Sequence, residues 1–506
     1  NAIASIFVIS YHCNCRHHRK GDHVSNDTTW IESFLNLADE SVKVSDAEIN
    51  ETQVIAYIQK KVPDCICPEC HSRMESKGPR KRKVNHPILQ DGRTLLLIVT
   101  TRKWHCKVCN TYHYEQFRFI QKFKQNTTLT EFMVLKKLKD PGMTAVMTAK
   151  ALNVSDAYVH ETFMRYVDLP RLPLCKVLAI DEVHMNFDRK NLYAIVLFNW
   201  ETGEVIDILP NRYKQTIERY FAKIPREELD IVEYLVSDMY EPYMNLAGTW
   251  IRNATSVVDC FHHTQPIINS IRNYLYSVRK KYIARDQLQR EVKNYQENKN
   301  YKTRRDSREV MLLKKYDYLM LKNHMGISYE PKYLSIHGRG GYLFELAVIE
   351  KEFMNLDPNF KEIRDLKELY IQFTHDYKND KDGAAARLEE LITLYRHSKF
   401  AMFRLFAETL ANHRNGIVAS FTYMIAKRSD SNKVVLRRIS NGPLECYNNG
   451  PKDLKRQSNG VVNFEYTRNR LLWINRKDAP ILAVPRSHEE VHTEGKKRGT
   501  YSKVNK

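Results

Sequence analysis

The sequence predicts a multidomain α+β protein, on the basis of its length, its composition and the order of its sequence patterns. At 506 residues, the chain is longer than one compact hydrophobic core usually serves. Strand-forming segments around paired cysteines come first, helical periodicity follows, strands then alternate with helices, and a long charged helix-forming stretch comes later. Hydrophobic residues make up 42% and charged residues 28%, which is typical of a folded globular chain.

The chain is strongly basic. Its formal net charge is +20, from 80 Lys and Arg against 60 Asp and Glu. Such an excess favours a polyanionic partner, because each phosphate that a protein neutralises releases condensed counterions. Nucleic acid is therefore the first partner to consider, and a chain that is simply basic is the alternative.

The sequence argues against a membrane protein. No segment approaches the roughly 18 to 20 uninterrupted apolar residues that a spanning helix needs. The first apolar run, Ile6–Ile9, is too short for the core of a signal peptide. The ten cysteines lack the regular pairing of a secreted disulfide scaffold. We therefore expect a cytoplasmic protein.

Four cysteines form two CxxC pairs, Cys67-Pro-Glu-Cys70 and Cys106-Lys-Val-Cys109. Each pair places two thiolates on a tight turn, and two such turns supply the four soft ligands of a tetrahedral zinc site. Between the pairs, Thr94–Thr101 has the β-branched pattern of a strand. The gap of about 35 residues is longer than in compact zinc patterns. We nevertheless predict a structural Zn²⁺ and a zinc-ribbon domain over residues 61–120.

Basic residues fill the gap between the pairs. We expect a loop that contacts the phosphates of double-stranded DNA beside the ribbon, and a merely solvated loop is the alternative. The candidate DNA-binding residues here are Lys81, Arg82, Lys83, Arg102 and Lys103.

The N-terminal segment, residues 1–60, gives no firm prediction. Ile31–Leu37 and Glu48–Val62 have patterns of short helices. A His and Cys cluster over His12–His18 has two interpretations, a metal site or a frayed terminus, and its spacing favours the terminus.

Residues 125–170 have the pattern of a helix-turn-helix. Apolar residues recur at helical spacing over Met147–Leu152, Asn153–Ser155 breaks the pattern, and Asp156–Tyr166 resumes it with Ser155 as the N-cap. The second helix would enter a major groove, although any two short packed helices give the same pattern. Its candidate DNA-contacting residues are Tyr158, His160, Glu161 and Arg165.

Downstream, strand patterns follow the order of a ribonuclease-H-like α/β sheet. One strand runs into Asp181, and two further strands around the turn Glu201–Gly203 complete a meander. A helix then crosses to a strand that ends at Asp238, and a second helix precedes a short strand that ends at Asp259. The sequence predicts this core in two pieces, residues 172–274 and 435–475.

Asp181 and Asp238 fall at the carboxyl ends of predicted parallel strands, where ligands gather in open α/β sheets. Paired with a third acid, they would hold two Mg²⁺ or Mn²⁺ ions, which require hard oxygen ligands. Asp259 is the alternative to Asp238 as the second catalytic acid. We favour Asp238, and assign Asp259 and His262 to supporting the metal ligands or to positioning DNA.

The third acid is Glu445. Ser440 or Asn441 can cap a helix, and Pro443 suits its first turn, so that Glu445 projects from a fixed N-terminal turn. Any one acid alone is better explained by a cap or a solvated surface residue. The ordered arrangement of all three favours a catalytic metal site.

Over about residues 65–475 the chain resembles bacterial insertion-sequence DDE transposases of the ISL-three family. The paired CxxC motifs and the helix-turn-helix pattern contribute, and the block around Glu445 is the most specific part. The remaining motifs are Ile180-Asp181-Glu182, Ser237-Asp238-Met239 with Tyr243, Asp259-Cys-Phe-His262, and Asn441-Gly-Pro-Leu-Glu445 through Asn448-Asn449 and Lys455-Arg456 to Asn463-Phe464 and Arg468-Asn-Arg470. The chain departs from the expected pattern at Cys446, and at Gly450-Pro451, which is predicted to interrupt the helix.

The resemblance implies a DDE transposase whose ribonuclease-H-like catalytic core is interrupted by a mostly helical insertion, residues 275–434. It implies binding to terminal inverted repeats, cleavage that leaves a 3′-hydroxyl, and joining of that hydroxyl to target DNA. It also implies a homodimer in the synaptic complex and a bacterial, nucleoid-associated protein. A basic tail, residues 476–506, ends the chain.

Near the acidic helix, basic residues are candidate phosphate clamps, with ordinary surface charge as the alternative. They are Lys455, Arg456, Arg468 and Arg470. Two other functions stay open at this stage, namely a DNA-binding regulator derived from a transposase and a structure-specific nuclease of the same fold.

Overall fold

The computed structural model describes residues 35, 37–87, 93–121, 124–187, 189–238, 240–299, 306–335, 341–427, 433–461 and 463–492. The chain has a mixed α/β fold and divides into two compact units. The first unit comprises Asn1–Tyr166 and Pro485–Lys506, and the second comprises Val167–Val484.

The first unit contains a five-stranded sheet. Its strands are β1 (Val42–Ile49), β2 (Gln53–Lys60), β3 (Glu75–His86), β4 (Thr94–Cys106) and β5 (Thr111–Tyr114). The order is β1-β2-β4-β3, with β5 paired to β4. β2 runs parallel to β4, and the other pairs are antiparallel. The core lies on one face, where alternate residues such as Ala56 and Ile58 are buried.

Several sequence predictions for this unit are changed. The short helix predicted over Glu48–Val62 is wrong, because β1 and β2 occupy that segment. The predicted DNA-binding residues between the cysteine pairs lie on strands and not in a loop, with Lys81, Arg82 and Lys83 on β3 and Arg102 and Lys103 on β4. The strand predicted at Thr94–Thr101 is confirmed and extends to Cys106. Most of the helix predicted over Ile31–Leu37, and the whole cluster His12–His18, lie outside the described residues.

Three helices follow the sheet: α1 (Thr128–Lys137), α2 (Ala145–Leu152) and α3 (Asp156–Tyr166). Asn153 ends α2 in the left-handed region with φ of 52°, a conformation that asparagine tolerates. The Ser155 hydroxyl accepts a hydrogen bond of 3.1 Å from the Tyr158 N–H at the start of α3. The predicted helix, break and N-cap are therefore confirmed.

The second unit contains another five-stranded sheet. Its strands and their connecting helices are β6 (Val177–His184), β7 (Tyr193–Asn199), β8 (Glu204–Leu209), α4 (Lys214–Phe221), α5 (Arg226–Leu229), β9 (Tyr234–Ser237), α6 (Glu241–Thr249) and β10 (Thr255–Val258). The order is β10-β9-β6-β7-β8. β6, β7 and β8 form the predicted antiparallel meander, and β9 runs parallel to both β6 and β10.

A mostly helical stretch follows β10, as the sequence predicted. It contains α7 (Cys260–Glu297), α8 (Arg308–Lys315), α9 (Tyr318–Leu321), the hairpin β11 (Lys332–Ser335) and β12 (Gly341–Phe344), α10 (Leu346–Met354), α11 (Phe360–Asp376), α12 (Lys381–Arg396), α13 (Ala401–Asn412), α14 (Arg414–Ala419), and the hairpin β13 (Tyr423–Lys427) and β14 (Val434–Arg438). Buried side chains of α7 and α11–α13 share one apolar core. Since α7 is continuous across residues 274 and 275, no helix ends at the boundary placed there.

Two helices return the chain to the sheet, namely α15 (Gly442–Gln457) and α16 (Phe464–Asn475). They pack against β6 and β8 respectively. The predicted interruption at Gly450-Pro451 is wrong, because α15 runs through Pro451. A last short helix, α17 (His488–His492), belongs to the first unit. Among the described helices, none has the length and apolar character needed to cross a membrane.

Candidate functional site

Four cysteines converge at one end of the first unit's sheet. The Sγ atoms of Cys67, Cys70, Cys106 and Cys109, which we call the cysteine cluster, all lie within 4.8 Å of one another. The residues after the two pairs, His71 and Asn110, have positive φ of 58° and 52°. Each pair thus ends in a tight turn that brings its thiols to one point, as the spacing predicted.

The chemistry of the cysteine cluster fits a cation. Hydrogen bonding from Ser72 lowers the pKa of Cys70 to about 6, whereas the hydrogen bond with Cys70 raises the pKa of Cys109. Thiolates this close repel one another unless a cation lies between them. A tetrahedral zinc ion takes four such ligands, so the cluster could bind zinc.

Asp181 is the centre of a group of acidic side chains in the second unit. It lies within β6, opposite Val196 of β7, three residues before the strand ends. The pKa of Asp181 is raised to about 6, mainly by burial and also by the charges of Asp238 and Glu445, against a hydrogen bond from the Glu182 N–H that lowers it. The protein therefore brings the three predicted acids, the carboxylate triad, within electrostatic range of one another.

Asp238 and Asp259 differ in their surroundings. Asp238 directly follows β9 and accepts a hydrogen bond of 3.0 Å from the Tyr240 N–H. Asp259 is buried, and its Oδ2 accepts a hydrogen bond of 2.6 Å from the Asn441 N–H. Asp259 thus fixes the start of α15, the helix that carries Glu445.

Glu445 lies in the first turn of α15 and is partly exposed. The Nε2 atom of His262 is 3.6 Å from its Oε1. The carboxylate triad is more open than the cysteine cluster, because it is not among the described groups whose ligand atoms all lie within 4.8 Å of one another. A site for two cations is wider than a site for one, and the three carboxylates around the half-buried Asp181 are the hard oxygen ligands that divalent ions prefer.

Asn448 is a site residue to which the sequence assigned no role. Its Nδ2 donates a hydrogen bond of 2.8 Å to Oδ2 of Asp181. Its own Oδ1 is buried and makes no hydrogen bond within the described part of the chain. Its position three residues after Glu445, on the same helix face, was the available signal.

The basic residues predicted on the ribbon lie on its strands. Lys81 and Lys83 are exposed on β3, and Arg82 beside them is half-buried. On β4, Arg102 and Lys103 are half-buried. The Lys103 ammonium lies 4.1 Å from the centre of the Tyr112 ring, and Lys81 lies 5.3 Å from that of Tyr57. The strands therefore present basic groups next to aromatic rings.

On α3, the predicted contact residues have unequal access to solvent. His160 is exposed and Tyr158 is half-buried, and burial raises the pKa of Tyr158. Arg165 donates from Nε to the Arg486 carbonyl at 2.9 Å, which ties the C-terminal segment to this helix. Glu161 lies 3.4 Å from His488. Arg165 and Glu161 are thus engaged within the unit.

Arg468 and Arg470 require a correction. Arg470 is only 1% exposed. Arg468 forms an ion pair of 2.6 Å with the buried Asp207 and donates to the Leu169 carbonyl at 2.9 Å. Because Arg470 is buried and the half-buried guanidinium of Arg468 is paired with Asp207, we remove both from the phosphate-contacting residues.

Lys455 and Arg456, on α15, remain accessible. Lys455 Nζ lies 3.0 Å from Nδ1 of His184 at the end of β6. Arg456 is exposed and pairs with Asp453 on the same helix.

Comparison with known proteins identifies a family for the second unit's region. Residues 178–471, more than half of the chain, match a protein-family model described as transposase. The matched region includes all three acids of the carboxylate triad and the helical stretch between Asp238 and Glu445. A search of curated proteins found no match.

Proposed function

This chain belongs to the ISL-three family of DDE transposases, and on that basis we propose that it binds the terminal inverted repeats of a transposon and catalyses metal-dependent DNA cleavage and strand transfer. DNA is the partner that the family implies. The observation that carries the proposal is the link between three acids remote in the chain: α15, the helix of Glu445, is hydrogen-bonded through Asn448 to Asp181, and the half-buried Asp181 is coupled in charge to Asp238 and Glu445.

We assign a ribonuclease-H-like fold to the second unit's sheet. The order β10-β9-β6-β7-β8 supports the assignment, because the antiparallel meander is followed by two parallel strands on the other side of β6. Asp181 on the central strand and Asp238 on its parallel neighbour then share one edge of the sheet. Glu445 reaches that edge from α15, after the helical insertion.

The carboxylate triad would hold two Mg²⁺ or Mn²⁺ ions. When bound, such ions activate the attacking oxygen and stabilise the leaving oxygen of a phosphodiester. Other side chains of the protein position the three acids. Asn448 orients Asp181, Asp259 holds the helix of Glu445, and His262 lies beside Glu445. Positioning and charge account for this type of catalysis, so no side-chain nucleophile is required.

Recognition of DNA is assigned to the first unit. A Zn²⁺ ion in the cysteine cluster would fix the ribbon, whose Lys81 and Lys83 are exposed for phosphate contact. We propose α2 and α3 as a helix-turn-helix, with His160 as its most accessible candidate contact. In the second unit, Lys455 and Arg456 are the remaining candidate phosphate contacts. Joining two transposon ends favours a homodimer in the synaptic complex.

A strand-transfer assay with a pre-cleaved end tests the proposal. Full-length protein would be incubated with Mg²⁺ or Mn²⁺, target plasmid and a labelled duplex taken from the DNA that flanks this coding region. We expect joined product from the wild type and none from Asp181→Asn, Asp238→Asn or Glu445→Gln, each with DNA binding nearly intact. Asp453→Asn, on the same helix as Glu445, is the matched control and should retain activity.

The other outcomes identify the competing functions. Hydrolysis without joining would indicate a structure-specific nuclease. Sequence-specific binding without either reaction would indicate a DNA-binding regulator. Full activity in one of the three acidic variants would remove that residue from the metal site.

A further inference from the structure

A second cluster of side chains lies at the edge of the sheet that carries the carboxylate triad. Because β6 and β9 are parallel and β7 and β8 alternate in direction, the ends of β6, β8 and β9 and the start of β7 share this edge. Tyr193 begins β7, Arg212 follows β8, and Tyr240 lies two residues after Asp238. The sequence predictions gave none of these three residues a role.

Glu182, the neighbour of Asp181, holds Arg212 in place. Its carboxylate is only 13% exposed, and one oxygen accepts a hydrogen bond of 2.9 Å from NH1 of Arg212. Its other oxygen accepts a hydrogen bond of 3.1 Å from the hydroxyl of Tyr243, which is itself fully buried. The position of the guanidinium is therefore set by a rigid acid.

Two aromatic rings flank the same guanidinium. Its carbon lies 4.7 Å from the centre of the Tyr193 ring and 5.7 Å from that of Tyr240. The backbone N–H of Tyr240 donates to Asp238 at 3.0 Å, so the backbone that carries this ring is tied to one acid of the carboxylate triad. Tyr193 packs edge-on against His184, which lies 3.0 Å from Lys455 of the acidic helix. One ring is thus carried by a residue bound to Asp238, and the other contacts a residue that is bound to the acidic helix.

If Arg212 served only to neutralise the charge of Glu182, only part of this arrangement would be explained. The Arg212 side chain stays 45% exposed, and its described hydrogen bond to Glu182 uses NH1 alone. A guanidinium fork is suited to phosphate oxygens, and tyrosine rings are suited to stacking on bases. Exposure, charge and aromatic surface occur together at the sheet edge where Asp238 follows β9, with Glu182 on the opposite face of β6 from Asp181.

We propose that Arg212, Tyr193 and Tyr240 form a subsite for the nucleotide next to the scissile bond, in which Arg212 binds its phosphate and a tyrosine ring stacks on its base. The proposal rests on the proposed function, because it places this nucleotide relative to the carboxylate triad. Arg212 is a positioning residue in this account.

Cleavage kinetics test the phosphate contact. Single-turnover cleavage would be measured for the wild type, Arg212→Gln and Arg212→Lys, on a duplex from the flanking DNA whose cleavage position has been mapped. Arg226→Gln is the matched control, since Arg226 also pairs with an acid, Asp230, but precedes β9 at the opposite edge. We expect Arg212→Gln to slow cleavage about 10- to 100-fold, Arg212→Lys to recover part of the rate, and the control to match the wild type.

DNA with a neutral phosphate analogue distinguishes a direct phosphate contact by Arg212 from a purely structural role of this residue. A methylphosphonate would be placed, one position at a time, at each phosphate around the mapped cleavage position. At one of these positions it should slow cleavage by the wild type. At that phosphate, Arg212→Gln should show no further loss. If Arg212→Gln cleaves at the wild-type rate, or if it keeps the wild-type interference pattern, the proposal is overturned.

Photo-crosslinking tests the stacking without requiring activity. DNA carrying 5-iododeoxyuridine next to the end should crosslink to Tyr193 or Tyr240, and Arg212→Gln should lose the crosslink. A wild type that crosslinks there and cuts no DNA would retain the subsite and refute the proposed function. A wild type that cuts DNA and never crosslinks at either tyrosine would refute the stacking.

Discussion

The amide nitrogen of Asn448 donates a hydrogen bond of 2.8 Å to the carboxylate of Asp181, from a position 267 residues later in the chain. This bond ties α15, which carries Glu445, to β6, which carries Asp181. It is a direct link between the two pieces of the core that the helical insertion separates.

Asn448→Ala should therefore impair cleavage. Loss of the donor frees Asp181 to rotate, and residues that orient metal ligands typically contribute 10- to 100-fold to metal affinity or activity. We expect a loss of about that size in single-turnover cleavage, partly recovered at high Mn²⁺ concentration. Asn449→Ala, at the exposed next position, is the control. Equal rates for the two variants would mean that Asn448 does not support the site.

Asp181→Asn should stabilise the metal-free protein while abolishing cleavage. The pKa of Asp181 rises from 3.8 to about 6 on folding, so the folded state binds more protons than the unfolded state between these values. Stability then falls as pH rises through that window, and at pH 7 the charged group costs on the order of 1 to 3 kcal/mol. Thermal unfolding of zinc-loaded protein without added Mg²⁺ should show a higher midpoint for the variant.

Added Mg²⁺ should reverse that order, because it stabilises only the protein that can bind it. If Mg²⁺ raised the midpoint of Asp181→Asn as much as that of the wild type, the ion would bind elsewhere.

The cysteine cluster should hold one zinc ion per chain. Cys106→Ser should lose the ion, unfold the ribbon and weaken binding to end DNA, since metal binding to such sites is coupled to folding. Zinc content and DNA affinity would be measured on the same samples. Cys446→Ser, at an exposed cysteine outside the cluster, should keep both the zinc ion and the affinity for end DNA. Unchanged sequence-specific affinity after confirmed zinc loss would count against the ribbon as the recognition element.

Arg468→Gln should destabilise the second unit by about 3 to 5 kcal/mol, because it leaves the buried Asp207 without its counter-charge. Arg456→Gln, at an exposed arginine of the neighbouring helix, should change stability by less than about 0.5 kcal/mol. Urea unfolding provides the comparison. If Arg468→Gln were as stable as the control and bound DNA more weakly than the wild type, Arg468 would be a phosphate contact after all.

The first unit should lose stability in mild acid through His86. This buried imidazole lies 2.9 Å from the Thr127 hydroxyl and 3.0 Å from the Leu35 carbonyl, and burial lowers its pKa from 6.5 to about 4. The unfolded state therefore binds more protons below pH 6.5, and the stability contribution is lost as pH falls towards 4. The free energy of unfolding, measured with denaturant, should differ less between pH 5 and pH 7.5 for His86→Gln than for the wild type.

The sequence was most informative where spacing alone dictates geometry. Each CxxC pair is a local turn, so the cysteine cluster followed from the motif once a strand joined the two pairs. Asp238 follows its strand directly, which made its position at the sheet edge predictable. The strand β2 was missed because Ile55 and Tyr57, on its outer face, are apolar like its buried residues and hide the alternation.

Positive charge was the least reliable predictor of which residues contact DNA. Arg468 and Lys83 were both predicted to contact phosphate, yet Arg468 is half-buried in an ion pair and Lys83 is exposed. The difference depends on Asp207, a partner 261 residues away that no local pattern reveals. The Arg212 subsite was missed for the same reason, since Tyr193, Arg212 and Tyr240 meet only after three strands are aligned.

Anomalous diffraction from crystals of the full-length protein soaked in Mn²⁺ tests the central claim most directly. We predict manganese bound to Asp181 together with Asp238 or Glu445, and no such peak in crystals of Asp181→Asn. Manganese absent from these carboxylates in the wild type, or bound there equally in the variant, would contradict the metal site and leave a basic DNA-binding protein without the proposed chemistry.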